Sequence, residues 1–330
     1  MSEVIDIHIH FGAPEGEDCP CYWSKEFRGS VAYFAMLVVT GSLFEKVDIH
    51  LVKKKMLKVI NESKFVDKSV LLAMDQVYDE SGKRRKDFTH LYVPNSYIAD
   101  LAKENERVLF GASVHPYRED WDRELGFCLD NGAVLCKWVP SSMMIKPNHE
   151  KCRHFYKKLA DNKLPLLCHV GPEYAIPTSN DDYNEYNNSV YLETALNMGV
   201  TVIAAHCAMP FWGKAEDDTA FKELRRMLGQ VDTKNWNLYA DTSALCIPMR
   251  IPYIEKVREQ FPLDRLVFGS DYPIPITEFS YNASSNLLKR IKLFLKALFT
   301  KNLLDKNYRL IKGMKFGDAA FSNAADILRL

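Results

Sequence analysis

The chain has 330 residues, 47% of them hydrophobic and 26% charged, the profile of a soluble globular protein long enough for two small units or one large one. Its 43 basic and 43 acidic residues cancel to zero formal charge, which removes the electrostatic case for a nucleic-acid or anionic-membrane partner. Nothing reads as a signal peptide, and the most apolar stretch, Val31 to Leu43, is too short and mixed to span a bilayer.

The first expected element is a strand, Val4-Ile5-Asp6-Ile7-His8-Ile9-His10-Phe11. Side chains alternate along a strand, so His8 and His10 share one face and Ile5, Ile7 and Ile9 the other. Two imidazoles one strand repeat apart can reach the same metal ion; a polar edge strand with two solvated histidines would have the same spacing. Residues 12–30 read as loop, interrupted by Gly12, Pro14, Gly16, Pro20 and Gly29. Leu43 through Ile60 has helical apolar spacing, with Lys53 to Lys55 on a solvated face.

Apolar runs then recur at Ser69–Met74, Val108–Val114, Ala133–Trp138, Pro165–Val170, Thr201–Cys207, Leu238–Thr242 and Leu266–Gly269, separated by helix-like segments. Their near-continuous apolarity fits strands buried on both faces. With the first strand they make eight βα repeats, which close into a (β/α)8 barrel of α/β class. A doubly wound open sheet is the alternative, but no GxGxxG or P-loop supports nucleotide binding. Leu287–Leu304 reads as one or two extra C-terminal helices, and the tail to Leu328 as a turn and a closing helix. No domain boundary is evident, so residues 1–330 are expected to form a single domain. The eight cysteines form no zinc-ribbon pattern; Cys136, Cys168 and Cys207 lie in apolar runs and Cys19-Pro20-Cys21 in a loop, which points to a reduced, cytoplasmic setting.

Barrel active sites are built at the C-terminal ends of the strands. There the chain places His8 and His10 (strand 1), His115 (strand 3), Lys137 (strand 4), His169 (strand 5), His206 (strand 6), Asp241 (strand 7) and Asp271 (strand 8). A lone histidine there is commonly a hydrogen-bonded core residue. Four on three strands facing an aspartate are hard to attribute to packing, and one divalent cation would satisfy them together. Zn2+ suits imidazoles with a carboxylate; Fe2+ and Mn2+ are also compatible.

The segments Asp6-Ile7-His8-Ile9-His10, His169-Val170-Gly171, Ala205-His206-Cys207 and Gly269-Ser270-Asp271-Tyr272-Pro273 resemble the amidohydrolase superfamily. The likeness covers nearly the whole chain and is greatest for the branch with aminocarboxymuconate semialdehyde decarboxylase and related TIM-barrel metal-dependent hydrolases. It implies His8, His10 and His169 as metal ligands, and Asp271 as a further ligand and proton-transfer group. It implies His206 as a ligand or an acid/base. Lys137 stands where binuclear members carry a carboxylated, metal-bridging lysine, so one metal is implied firmly and a second stays open.

The expected function is metal-dependent hydrolysis of a C–O or C–N bond in a small molecule (a lactone, ester or amide) through a metal-activated water, with Asp271 accepting its proton and His206 polarising the carbonyl. The alternative is non-oxidative decarboxylation of an unsaturated or aromatic acid, which calls for an arginine; none sits at an obvious strand end, and Arg28, Arg118 and Arg250 lie in loops long enough to be candidates. A non-catalytic metal-binding barrel is a third reading. Glu173, Trp138, His115 and Tyr174 are candidate substrate contacts, and Phe211 and Trp212 candidate pocket walls, each with a packing or surface role as the plain alternative. His50, His90, His149 and His154 read as surface residues. The expected partner is a small-molecule substrate, with a homo-oligomer open.

Overall fold

Eight parallel strands build the core of the computed structural model, which describes residues 3–178, 181–210, 218–277 and 287–330. They are β1 (Ile5–His10), β2 (Lys68–Leu72), β3 (Val108–Ala112), β4 (Ala133–Trp138), β5 (Leu166–Cys168), β6 (Val202–Ala204), β7 (Leu238–Asp241) and β8 (Leu266–Val267). Each pairs in parallel with the next in sequence. Closure comes from backbone bonds between β1 and the end of β8: Ile7 N to Phe268 O at 3.1 Å, Asp271 N to His8 O at 2.8 Å and His10 N to Tyr272 O at 2.9 Å. The result is a (β/α)8 barrel. No described helix is long and apolar enough to cross a membrane.

The strands carry apolar residues on both faces because both are covered. Phe110, Cys136, Leu166, Ala204 and Leu238 pack outward against helix residues such as Ile98, Leu125, Phe155 and Leu224. Val70, Leu135, Leu167, Ile203 and Val267 fill the interior, joined by Ala324, Ile327 and Leu328 of the last helix. With a side-chain period of two, the next inward position after Leu135 is Lys137, and after Leu167 it is His169. The face that fills the barrel therefore carries the polar residues one repeat further on.

β1 departs from simple alternation. Its register with β2 shifts between Asp6 and Ile9. Ile5 and Ile7 consequently join the interior and Ile9 the outer layer, so the three isoleucines do not share one face. A bulge of this kind re-aims the residues that follow it.

The segment 12–30 also holds more structure than its glycines and prolines indicate. Tyr22–Trp23 pairs antiparallel with Leu91–Tyr92, and a one-turn helix, Lys25–Arg28, is capped by Ser24. A helix at Val31–Val39 follows, and the next, Ile49–Asn61, begins six residues later than Leu43 because the Asp48 side chain caps it by accepting from Leu51 N. Leu287–Leu298 and Leu303–Gly313 form two C-terminal helices, the second capped by Asn302.

Buried Asp305, from that second helix, accepts from Ser63 Oγ (2.6 Å), Lys64 N (2.9 Å) and Phe65 N (3.0 Å) at the end of helix Ile49–Asn61. Asp305→Ala leaves two backbone N–H groups without their acceptor. It is expected to lower unfolding free energy by about 2–4 kcal/mol, read from denaturant midpoints.

Candidate metal centre and active site

The candidate site starts from His8. Its Nδ1 donates to Asp241 Oδ2 at 2.7 Å and lies 3.0 Å from Ser243 Oγ. A proton on Nδ1 leaves the Nε2 lone pair facing the barrel mouth. That Nε2 is 3.1 Å from His10 Nε2 and 3.4 Å from Asp271 Oδ1, and His10 Nε2 is 3.2 Å from the same oxygen. Ligand atoms 2.0–2.1 Å from a tetrahedral cation stand about 3.3 Å apart, so these three already mark one face of a coordination tetrahedron.

His169, from the end of β5, is on the wall of the same cavity, although its ring nitrogens stand outside the group of three whose donor atoms lie within 4.8 Å of one another. Its Nδ1 is 3.2 Å from Glu173 Oε2, and the other Glu173 oxygen accepts the amides of Ala175 and Ile176. His169 Nε2 is left buried without a hydrogen-bond partner, as is Asp271 Oδ1. Buried acceptors without donors are costly, and a divalent cation is what this set lacks. Three imidazoles and one carboxylate fit zinc, iron or manganese. Burial pushes the pKa values of His8 and His169 down, favouring the neutral imidazoles that ligation requires. Burial alone would raise the Asp271 carboxyl, but His8 and His10 beside it hold it below the ordinary carboxylate range.

His8, His206 and Asp241 form a second acidic and imidazole cluster, but its atoms already satisfy one another through Ser243. Ser243 Oγ contacts His206 Nδ1 at 2.7 Å and His8 Nδ1 at 3.0 Å, and donates to Asp241 Oδ1. With that hydroxyl proton on Asp241, Oγ accepts from His206 Nδ1–H, so His206 Nε2 is an acceptor toward the pocket. Lys137 enters from β4, with Nζ 3.1 Å from His8 Nε2; burial pushes its pKa down.

The backbone is bent to assemble these groups. Ile203 and Ala205 face inward, so plain alternation would send His206 outward. His206, Cys207 and Ala208 instead adopt left-handed conformations (φ 58°, 52° and 51°), a costly run for non-glycine residues that turns His206 into the site. His206 N donates to Asp241 Oδ1 at 2.7 Å, which holds the turn. Asp271 is left-handed as well (φ 64°). Gly269 lets β8 approach β1: a Cβ there would lie 2.9 Å from His8 Cβ.

The centre lies at one end of a cavity of about 590 Å³, with His10, Lys137, His169, His206, Asp271, Glu173 and Arg250 on its wall. Arg250 settles which arginine reaches the site. Arg118 is held elsewhere by Asp75 (3.0 Å), Asp120 (2.7 Å) and Glu124 (3.4 Å), and Arg28 is exposed and off the cavity wall. Arg250 is buried, and its Nε has no hydrogen-bond partner. Burial pushes its pKa down, against the carboxylates of Asp271 and Glu173. No strand or α-helix period marks it, because it lies in the short 3-10 helix Pro248–Tyr253 beyond β7.

Two expected substrate contacts are not at the site. Trp138 points outward, as it must when Lys137 points inward; it stacks near Phe155 and Tyr156 and donates to Val114 O at 2.8 Å. His115 is a buried structural residue, its Nε2 donating to Met143 O (2.8 Å) and its Nδ1 accepting from Tyr117 N (3.2 Å). Tyr174 stands half-exposed on the cavity rim, and Glu173 lines the wall with its oxygens engaged by His169 and loop amides. Phe211 and Trp212 lie outside the described residues. His90 is buried rather than on the surface, its ring bonded to Ser24 Oγ at 2.9 Å.

A family model described as amidohydrolase matches residues 5–307. No curated protein sequence matches the chain. Among solved structures, an amidohydrolase from Burkholderia multivorans with bound HEPES is similar at TM-score 0.56 and 12% identity, covering 100% of both chains. A Pseudomonas putida protein assigned as a 2-pyrone-4,6-dicarboxylic acid hydrolase has TM-score 0.55 and 11% identity, covering 100% of this chain and 98% of that one. A dihydroxybenzoic acid decarboxylase from Polaromonas sp. JS666, with bound manganese and an inhibitor, has TM-score 0.52 and 13% identity over 100% and 98%. At these identities the likeness is one of fold.

Two measurements test these assignments. Asp241→Ala removes the carboxylate that orients His8 and is expected to weaken Zn2+ binding about 10–100-fold in a chelator competition. Burial pushes the His115 pKa down to about 3 from 6.5, so the unfolded chain takes up a proton there first and stability falls as pH drops below 6.5. His115→Gln is expected to remove about 1.4 kcal/mol per pH unit of that loss between pH 6 and 4, read from urea unfolding, with metal binding unchanged.

Proposed function

The chain belongs to the amidohydrolase family, and from that membership we propose that it is a metal-dependent hydrolase of a C–O or C–N bond (lactone, ester or amide) in a small molecule. The observation that carries this reading is Asp271, buried on the cavity wall with Oδ1 3.4 Å from His8 Nε2 and 3.2 Å from His10 Nε2. His8, His10, His169 and Asp271 would hold the cation, with zinc the first candidate; Lys137 is the residue available to a second ion. When bound, the cation supplies Lewis acidity and makes hydroxide accessible near neutral pH.

The protein's own groups divide the remaining work. Asp271 is the acceptor for the proton of the attacking water. Arg250 has donors only, so its guanidinium suits the carbonyl oxygen as negative charge develops there. His206, with Nδ1–H engaged by Ser243, presents Nε2 as an acceptor; it would receive that same proton from Asp271 and pass it to the leaving group, which restores Asp271 as the carboxylate. This division moves carbonyl polarisation from His206 to Arg250. The reason is that a neutral imidazole in this tautomer has no N–H to offer the substrate.

Arg250 also favours a second reading, non-oxidative decarboxylation. A buried guanidinium with an unused Nε on the cavity wall can hold a carboxylate. The manganese-containing relative named as a dihydroxybenzoic acid decarboxylase shares the fold.

Reaction in H2(18)O separates the two. Hydrolysis is expected to place (18)O in the product, whereas release of carbon dioxide without (18)O uptake would replace the hydrolase reading with the lyase one. Asp271→Asn is expected to lower kcat by about 10²–10⁴-fold. Stripping the metal with a chelator should abolish turnover and adding Zn2+ or Mn2+ restore it; full activity in metal-free protein would overturn both readings.

A further inference from the structure

The cavity is far larger than its polar end requires. Its imidazole and carboxylate groups belong to the centre described above, whereas Phe11, Phe27 and Leu91 line the remainder together with one face of the helix Val31–Val39 and a single charged residue, Lys55. That helix presents Ala32, Ala35 and Met36 to the cavity; the two alanines keep the wall shallow. The charged group on this side is already satisfied: Lys55 Nζ binds Thr40 O (3.0 Å), Gly41 O (2.9 Å) and Ser42 Oγ (3.0 Å), and Thr40 Oγ1 binds Met36 O (2.9 Å), which leaves the buried Trp23 Nε1 as a polar atom on this wall without a hydrogen bond. A volume of about 590 Å³ is that of a site for a drug-sized ligand, and a cation with a few-atom acyl group leaves most of it empty.

We propose that the substrate is amphipathic: a carboxyl-derived head at Asp271 and Arg250, joined to an extended apolar body that lies in the chamber walled by the helix Val31–Val39. The chemistry at the head rests on the hydrolase reading above; the apolar body does not. Burying the body against Phe11, Phe27, Leu91 and the alanine face removes apolar surface from water, and each added methylene should strengthen binding about fourfold until the chamber is full.

The test uses the full chain loaded with Zn2+ and the unreactive probes butanoate, hexanoate, octanoate and decanoate, with binding read by calorimetry and by the fluorescence of Trp23, which is on the wall. Affinity is expected to rise about fourfold per methylene across the series. Ala35→Trp, which fills the chamber away from the head, is expected to cost decanoate at least tenfold and to leave butanoate within twofold. Equal affinity for all four probes, or an equal loss for short and long probes in Ala35→Trp, overturns the proposal. The wild-type series decides the matter if that variant does not fold. Chain-length-dependent binding without hydrolysis of matched esters, lactones or amides would sink the hydrolase reading and keep this one. Equal kcat/KM for short and long esters with flat probe binding would do the reverse.

Discussion

Asp241 is the buried carboxylate on which the rest of the centre depends. One oxygen accepts from His8 Nδ1; the other accepts the backbone amides of His206 and Ser243 and the Ser243 hydroxyl. Four donors on one carboxylate fix the His8 tautomer, hold a left-handed turn in place and set the direction of the Ser243 hydroxyl, which in turn fixes His206. Burial raises the Asp241 carboxyl against these bonds, so the residue is costly to keep inside. The barrel supplies the enclosure that makes the cost bearable: Asp241 is fully buried at the end of β7, next to the layer of apolar residues that fills the barrel interior.

From this hub the chemistry follows by geometry. His8, His10 and Asp271 come together because β8 closes against β1, and Gly269 removes the side chain that would keep them apart. His169 is aimed by Glu173 in the same way that His8 is aimed by Asp241, a carboxylate behind each imidazole. The cavity then extends from this polar end along an apolar wall, so one enclosure offers a cation site, a donor-only guanidinium and room for a non-polar body.

Much of this was legible in the sequence because β-strand periodicity is simple. Leu135 and Lys137, Leu167 and His169, and Tyr239 and Asp241 stand two apart, so filling the interior with one residue aims the next into the barrel mouth. The same rule excludes Trp138 from the site. It fails where the backbone leaves regular strand: His206 reaches the centre through left-handed residues, and Ile7 and Ile9 fall in different layers across a bulge. Arg250 and His90 escape the rule for a related reason: Arg250 sits in the short 3-10 helix Pro248–Tyr253 and His90 in a loop, where strand alternation gives no direction.

The sequence by itself determined the order of strands and helices, the identity of the donor residues and their position at strand ends, because these depend on local periodicity and on which side chains bear imidazole or carboxylate. Only the tertiary structure decided which donors share a few ångströms, which tautomer each histidine adopts, which arginine enters the cavity and how large the apolar chamber is. Those depend on contacts between residues hundreds of positions apart, such as His8 with Asp241 and Asp271, and on the barrel closure that brings them together.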